Sequence, residues 1–191
     1  MLAIPRVLDI TISFFGIILL IPIFLVLAVG CHLKFRSAIF YQERVGRNEV
    51  CFKLFKFRSM DSGAPEVPTH LLPERFITDF GRFLRKSKLD ELPQLWNVFI
   101  GEMSLVGPRP NLPNQYQLMS ARRRLNVYRV RPGITGLAQI NGIDMSSPAV
   151  LAEIDEQMIA GFSTFQYLKI LGLTLLIHRK KELNVKEGSL D

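Results

Sequence analysis

Cysteine is scarce in this chain. Only Cys31 and Cys51 occur in 191 residues, and their separation fits neither a zinc site nor a disulfide framework. A reducing compartment follows as the default. His70 has no second His or Cys beside it and reads as a surface residue rather than a ligand. The GxxxxGK[ST] and GxGxxG patterns are both missing, which removes P-loop and Rossmann readings. No zinc finger or other nucleic-acid motif is present. Formal charge is absent from Ile10 to Cys31, and acids are absent from Arg122 to Arg131.

What is present is unevenly distributed. Hydrophobic residues make up 48 % and charged residues 21 %, with a net charge of +7. The surplus of cations points to an anionic partner: phosphates, nucleic acid or an acidic membrane surface. The grease is concentrated in the uncharged N-terminal stretch, which as a straight helix measures roughly 33 Å and matches a bilayer core. Pro22 sits in its middle and should kink or break the helix. Three membrane readings follow. The segment spans with a kink, it enters and turns at Pro22 to leave on the same side, or it is a cleaved signal whose Ala28-Val29-Gly30-Cys31 loosely resembles a lipoprotein box. A buried helix of a soluble core is the plain alternative. Lys34, Arg36, Arg44, Arg47, Lys53, Lys56 and Arg58 follow the segment against only Glu43 and Glu49. That balance favours the cytoplasmic side. Only Arg6 and Asp9 flank the other end, so charge does not separate a span from a hairpin.

Ala38–Gln42 and Val50–Phe57 alternate well enough to predict a β-hairpin turned at Val45–Asn48. Cys51, Lys53, Phe55 and Phe57 fall on one face, and Phe52, Leu54 and Lys56 on the other. Lys53, Lys56 and Arg58 make either a solvated basic face or a phosphate-facing cluster. Residues 61–73 read as a loop, and Pro73–Ser87 as an amphipathic helix with Phe76, Ile77, Phe80, Phe83 and Leu84 on its stripe.

Asp90 and Glu91 stand side by side before an apolar helix marked by Leu92, Leu95, Trp96 and Phe99. Pro93 restricts that helix to a start nearby. Either Asp90 is its N-cap, or Ser87 caps and Asp90 is the third residue. An acid at a helix N-terminus is ordinary. The same position also suits an ionised nucleophile, with Glu91 supplying a hard oxygen to Mg²⁺. Arg109 is held between Pro108 and Pro110, which fixes its guanidinium for an anion. Arg122, Arg123, Arg124, Arg129 and Arg131 follow, and a lipid-phosphate surface suits them better than nucleic acid. RPGITGLAQINGID reads as a tight loop shaped by its backbone. Phe162–Lys181 reads as an interfacial or core helix ending in a basic cluster, where His178 suits the C-terminal dipole.

Four segments, FKLFKFRSM (52–60), SKLDELPQLWNVFIGEMSLVGPRP (87–110), RVRPGITGLAQING (129–142) and NVKEGS (184–189), together resemble the bacterial sugar transferases, small monotopic phosphoglycosyl transferases. The resemblance implies a mostly helical α+β fold with a small β-hairpin. It implies a re-entrant helix-break-helix over 1–33 broken at Pro22, and a catalytic domain over 34–191 on the cytoplasmic face of a bacterial inner membrane. It implies transfer of a sugar-1-phosphate from a UDP-sugar to polyprenol (undecaprenyl) phosphate, the first membrane step of a glycoconjugate pathway. Carried over, Asp90 is the nucleophile that forms a covalent phosphosugar intermediate and Glu91 holds Mg²⁺. Lys56, Arg58, Arg85 and Arg109, with Arg131 of the third segment, become the phosphate- and nucleotide-binding residues. Leu137 replaces a common Trp, and Gln157 and Met158 replace common tyrosines, which blocks any transfer of sugar or lipid preference. Membrane lipid is an implied partner, nucleic acid is not, and self-association is left open. A non-enzymatic membrane-anchored adaptor for anionic lipid is the alternative function.

Overall fold

The computed structural model describes residues 3–60 and 78–187. The fold is mostly helical α+β, with two small two-stranded sheets and one long apolar helix at its start. The expected loop over 61–73, His70, the beginning of the helix expected from Pro73 and the end of NVKEGS lie outside the described residues.

Helix α1 (Ala3–Phe35) is helical throughout, with Pro22 inside it. The expected interruption at Pro22 is therefore absent from the secondary structure: the proline deletes one donor, and the helical bonds on either side continue. Pro5–Phe35 is long and apolar enough to cross a membrane. Yet both halves rest on the same body. Near the start, Arg6 donates to the carbonyls of Val98 (2.8 Å) and Phe99 (3.1 Å). Buried Asp9 accepts from the Ser104 hydroxyl, the Leu105 N–H and the Tyr167 hydroxyl at 2.8–3.0 Å. Near the end, Leu27, Cys31 and Phe35 bury with Phe57 and Leu84. Between these anchorages, Phe15, Leu19, Leu25 and Val26 are exposed.

The hairpin forms as the alternation predicts. β1 (Ile39–Val45) pairs antiparallel with β2 (Cys51–Phe57), with Ile39 opposite Phe57 and Val45 opposite Cys51. The reversal is longer than Val45–Asn48. It runs through a 3-10 turn at Arg47–Glu49 in which Asn48 and Glu49 take left-handed conformations. Phe52 and Leu54 bury on one face as expected, but Phe57 buries as well, because α1 covers the end of the strand.

α2 (Asp79–Lys86) is capped by the Thr78 hydroxyl, which accepts from Gly81 N–H. α3 (Gln94–Ile100) buries Gln94, Asn97 and Val98. Its apolar stripe turns instead to α1, where Leu95 meets Gly16 and Phe99 stacks on Phe14, leaving Trp96 half-exposed. β3 (Ser104–Val106) and β4 (Gly133–Thr135) pair in parallel. This pairing needs glycine: a Cβ on Gly133 would lie 2.0 Å from the Gly107 nitrogen.

α4 (Tyr116–Arg124), α5 (Leu137–Ile140) and α6 (Pro148–Ala160) close one side, burying Leu118, Ala138 and Leu151 together. α7 (Thr164–Glu187) returns across the sheets. Tyr167 and Ile170 enter the main core with Phe52, Leu54, Val98 and Met103. Phe165, Leu168 and Leu175 lie on the opposite, exposed face. Over Thr164–Leu176 the helix is apolar on both sides.

Candidate active site

Asp90 and Glu91 occupy neither helix register expected for them. Ser87 ends α2, its hydroxyl donating to the Phe83 carbonyl at 2.8 Å. Lys88 then takes a left-handed conformation (φ 59°) that reverses the chain. The two acids follow on a 3-10 turn, Leu89–Glu91, and α3 starts after Pro93. A non-glycine residue in this region is uncommon and marks an over-determined backbone.

The two carboxylates live in opposite environments. Asp90 is 6 % exposed, and its Oδ1 has no hydrogen-bond partner among the described residues. Burial raises its pKa, and neighbouring Glu91 adds to the rise against Lys56, Lys88 and Arg85. Burial also pushes Glu91 upward, but Arg109, Lys56 and Lys88 overcome it and hold its carboxyl well below the usual range. Lys56 Nζ lies 2.9 Å from Glu91 Oε1, and an Arg109 terminal nitrogen lies 2.8 Å from the same oxygen. Neither bond engages Oε2. Burial lowers the Lys56 pKa, while Glu91 raises that of Arg109.

The supports of this cluster are polar and deeply buried. Asn97 donates to the Lys53 carbonyl (2.7 Å) and accepts from Phe55 N–H (3.1 Å), which fastens α3 to the strand that carries Lys56. Arg122 donates to the Arg109 carbonyl and to Asn111 Oδ1, both at 2.9 Å. Its other nitrogens reach Asp155 Oδ2 at 2.7 and 3.1 Å. Tyr128 adds a bond to Asn111 Oδ1. The rigidity expected from two prolines is thus completed by a buried guanidinium.

Of the other expected site residues, Arg85 lies close enough to act on Asp90 and donates to Met60 Sδ at 3.1 Å. Arg58 sits over the Phe40 ring at 5.8 Å. Arg131 is elsewhere: its Nε donates to the Gly101 carbonyl, and its charged neighbours are Arg6, Arg47 and Asp9. The arginine run does not form one basic surface. Arg122 is buried, Arg123 pairs with Glu49, and Arg129 stands 3.8 Å from Glu156.

Two cavities, of about 490 and 440 Å³, flank the Glu91–Arg109 pair and share Lys88, Arg109 and Gln139. The second also exposes Arg44, whose pKa is lowered to about 10 by burial and by Arg109. Sequence reasoning did not assign Lys88, Arg44, Gln139, Asn97 or the Arg122–Asp155 pair to the site. One signal was available for the last. Asp155 shares a helical face with Leu151, Ala152, Met158 and Ile159, and a charge on an apolar stripe requires a partner.

Among the described residues, no three His, Cys, Asp or Glu side chains gather into a metal cage. Two adjacent carboxylates without a third suit a hard cation that completes its shell from substrate phosphates and water, as Mg²⁺ does. Ionised Glu91, with Oε2 outside the two ion pairs, fits that requirement.

A family model of the bacterial sugar transferases matches residues 1–181. The chain is 37 % identical to the galactosyl transferase CpsE of Streptococcus agalactiae over 90 % of its own length and 41 % of that protein's. It is 38 % identical to EpsL of Bacillus subtilis, an uncharacterized sugar transferase, over 96 % of its length and 88 % of the relative's. A UDP-glucose:undecaprenyl-phosphate glucose-1-phosphate transferase of Klebsiella pneumoniae is 38 % identical, with 89 % of this chain matching 39 % of that enzyme. The chain therefore spans less than half the length of two of these relatives and nearly all of the third. By the family match and by these relatives, this chain belongs to the bacterial sugar transferases.

Proposed function

We propose that this chain moves a sugar-1-phosphate from a UDP-sugar to polyprenol phosphate, releasing UMP and forming a polyprenyl-diphospho-sugar. The observation that carries this reading is the division of labour in the acid pair. Asp90 keeps an unpartnered buried oxygen, while Glu91 is ionised and clamped by Lys56 and Arg109. The reaction in the Klebsiella relative's name supports the same chemistry.

An Asp90 oxygen bonds to the phosphorus that carries the sugar, and the bond from that phosphorus to UMP breaks, the electrons leaving with UMP. An oxygen of polyprenol phosphate then bonds to the same phosphorus. The Asp90–phosphorus bond breaks and the carboxylate returns. Desolvation sharpens the attack of Asp90 once it is ionised, and it requires the neighbouring cations. Arg109 and Lys56 stabilise charge spread over the phosphoryl oxygens. Glu91 would hold Mg²⁺, which when bound shields the diphosphate charge. Held on a covalent intermediate, the sugar phosphate needs only one bulky partner at a time.

The setting we propose is the cytoplasmic face of a bacterial inner membrane, with the continuous helix α1 bent at Pro22 so that it enters and leaves on one side. The anchorage of both α1 ends on one domain supports this, and so does the exposed apolar surface between them. A cysteine introduced at residue 2 should label only from the cytoplasm; labelling only from the outer side would establish a span. The reaction itself is tested by UMP release from a panel of UDP-sugars. Release should require both polyprenol phosphate and Mg²⁺ for turnover. A protein that binds anionic lipid but releases no UMP with any sugar would be an adaptor.

A further inference from the structure

The two cavities beside Glu91 differ in chemistry. The larger is walled by Leu92, Leu95, Leu105, Ile134, Ile140 and Leu175, and its charged lining is Lys88 and the Arg109–Glu91 pair. Leu175 is 74 % exposed, and Leu176 beside it is exposed too, so this cavity opens onto the apolar outer face of α7. Its opposite wall is continuous with the apolar helix α1, because Leu95 lies against Gly16. The smaller, more polar cavity has Arg44, Lys56, Gln115 and Asp144 beside Leu112, Ile143, Met145 and Leu151.

Gln139 belongs to both walls, and neither atom of its buried side-chain amide has a hydrogen-bond partner among the described residues. Leaving a buried amide unpaired is costly. A polar ligand group lying between the cavities would remove that cost.

Resting on the transfer reaction above, we propose that the larger cavity is the acceptor chamber. It takes the first isoprene units of polyprenol phosphate, with the lipid phosphate against Lys88 and Arg109 and within reach of Gln139. The charge pattern fits this occupant: an apolar cavity whose cations are Lys88 and an Arg109 that keeps further donors beyond its one bond to Glu91 matches a hydrocarbon chain ending in an anion. Leu175, on the exposed apolar face of α7, stands at this cavity, so the lipid chain reaches it along that face. The lipid then enters on one side of the Glu91–Arg109 pair, and the polar cavity on the other side stays clear.

Photocrosslinking tests this on the full-length chain in detergent, using a polyprenol phosphate with a photoreactive group in its first isoprene units. Crosslinked peptides should contain Leu95, Ile134, Ile140 or Leu175. Unlabelled polyprenol phosphate should compete, and polyprenol lacking the phosphate should compete at least tenfold less well. Crosslinks confined to the exposed middle of α1 or to the polar cavity would overturn the proposal. The readout does not depend on turnover, so a chain that crosslinks here yet releases no UMP would refute the reaction and not the chamber. In an active chain, Ile140→Trp fills the space while remaining apolar. It should raise the acceptor KM at least tenfold and leave the donor KM within twofold; equal effects on both substrates would count against the chamber.

Discussion

Two arginine–carboxylate pairs meet at the backbone of Arg109, and they do different work. Arg122 and Asp155 are sealed, with side chains 2 % and 1 % exposed. Arg122 spends its guanidinium on Asp155, Asn111 and the Arg109 carbonyl. Arg109 and Glu91 are more open, at 36 % and 11 %; both line the larger cavity, and Arg109 lines the smaller one as well. The sealed pair fixes a loop; the open pair presents charge to a ligand. Both are ion pairs of similar length, so distance alone does not separate structure from chemistry. What separates them is where the remaining donors go. Asp90 extends the contrast: Asp155 also keeps one buried oxygen without a partner but gives the other to Arg122, whereas Asp90 has no ion pair among the described residues.

The sharpest break in this contrast comes at Asp90. Asp90→Asn should lower turnover by about 10⁴-fold or more, as loss of a nucleophile does. It should also raise Tm at neutral pH. The Asp90 pKa is raised on folding, so its ionised form opposes folding. That cost is absent below the ordinary aspartate value and fully present above the raised one. For the same reason the acid limb of the rate should lie above the ordinary aspartate range in the wild type. Glu91 has the opposite sign: its stabilisation is present above the ordinary glutamate value and lost as pH falls through its lowered one. A thermal melt across pH, paired with rates, separates the two.

Breaking the sealed pair is next. Arg122→Ala leaves Asp155 buried without a partner and should cost about 3–5 kcal/mol. At about 2–4 °C per kcal/mol, calorimetry would read a large fall in Tm. Arg109→Lys should keep Tm within a few degrees but lower kcat/KM by about 10²–10³-fold, since the planar fork is lost while the charge remains. Near-normal kcat/KM would remove Arg109 from phosphate recognition. Arg123→Ala breaks the exposed pair with Glu49 and should leave Tm nearly unchanged in the same calorimetry.

The sequence disclosed what is written locally or carried by motif. The hairpin followed from alternation at Phe52 and Leu54, and the acid pair and Arg109 from their neighbours. The turn at Lys88 was hidden because its left-handed backbone has no glycine to announce it. β3 and β4 have three residues each, too few to show a period, and they pair across a long separation through Gly107 and Gly133. The fate of the arginine run was illegible because each partner, Glu49, Asp155 or Glu156, comes from a distant element. Asp9 read as a flanking charge, whereas folding buries it under Tyr167.

The claim that Asp90 and Glu91 divide nucleophile from clamp is tested most directly by mass spectrometry of the intact chain. The chain is incubated with its UDP-sugar and Mg²⁺ in the absence of polyprenol phosphate. The account predicts a phosphosugar adduct that maps to Asp90, is missing in Asp90→Asn and is discharged when polyprenol phosphate is added. An adduct on Glu91, or full turnover with no adduct at any time, would contradict it.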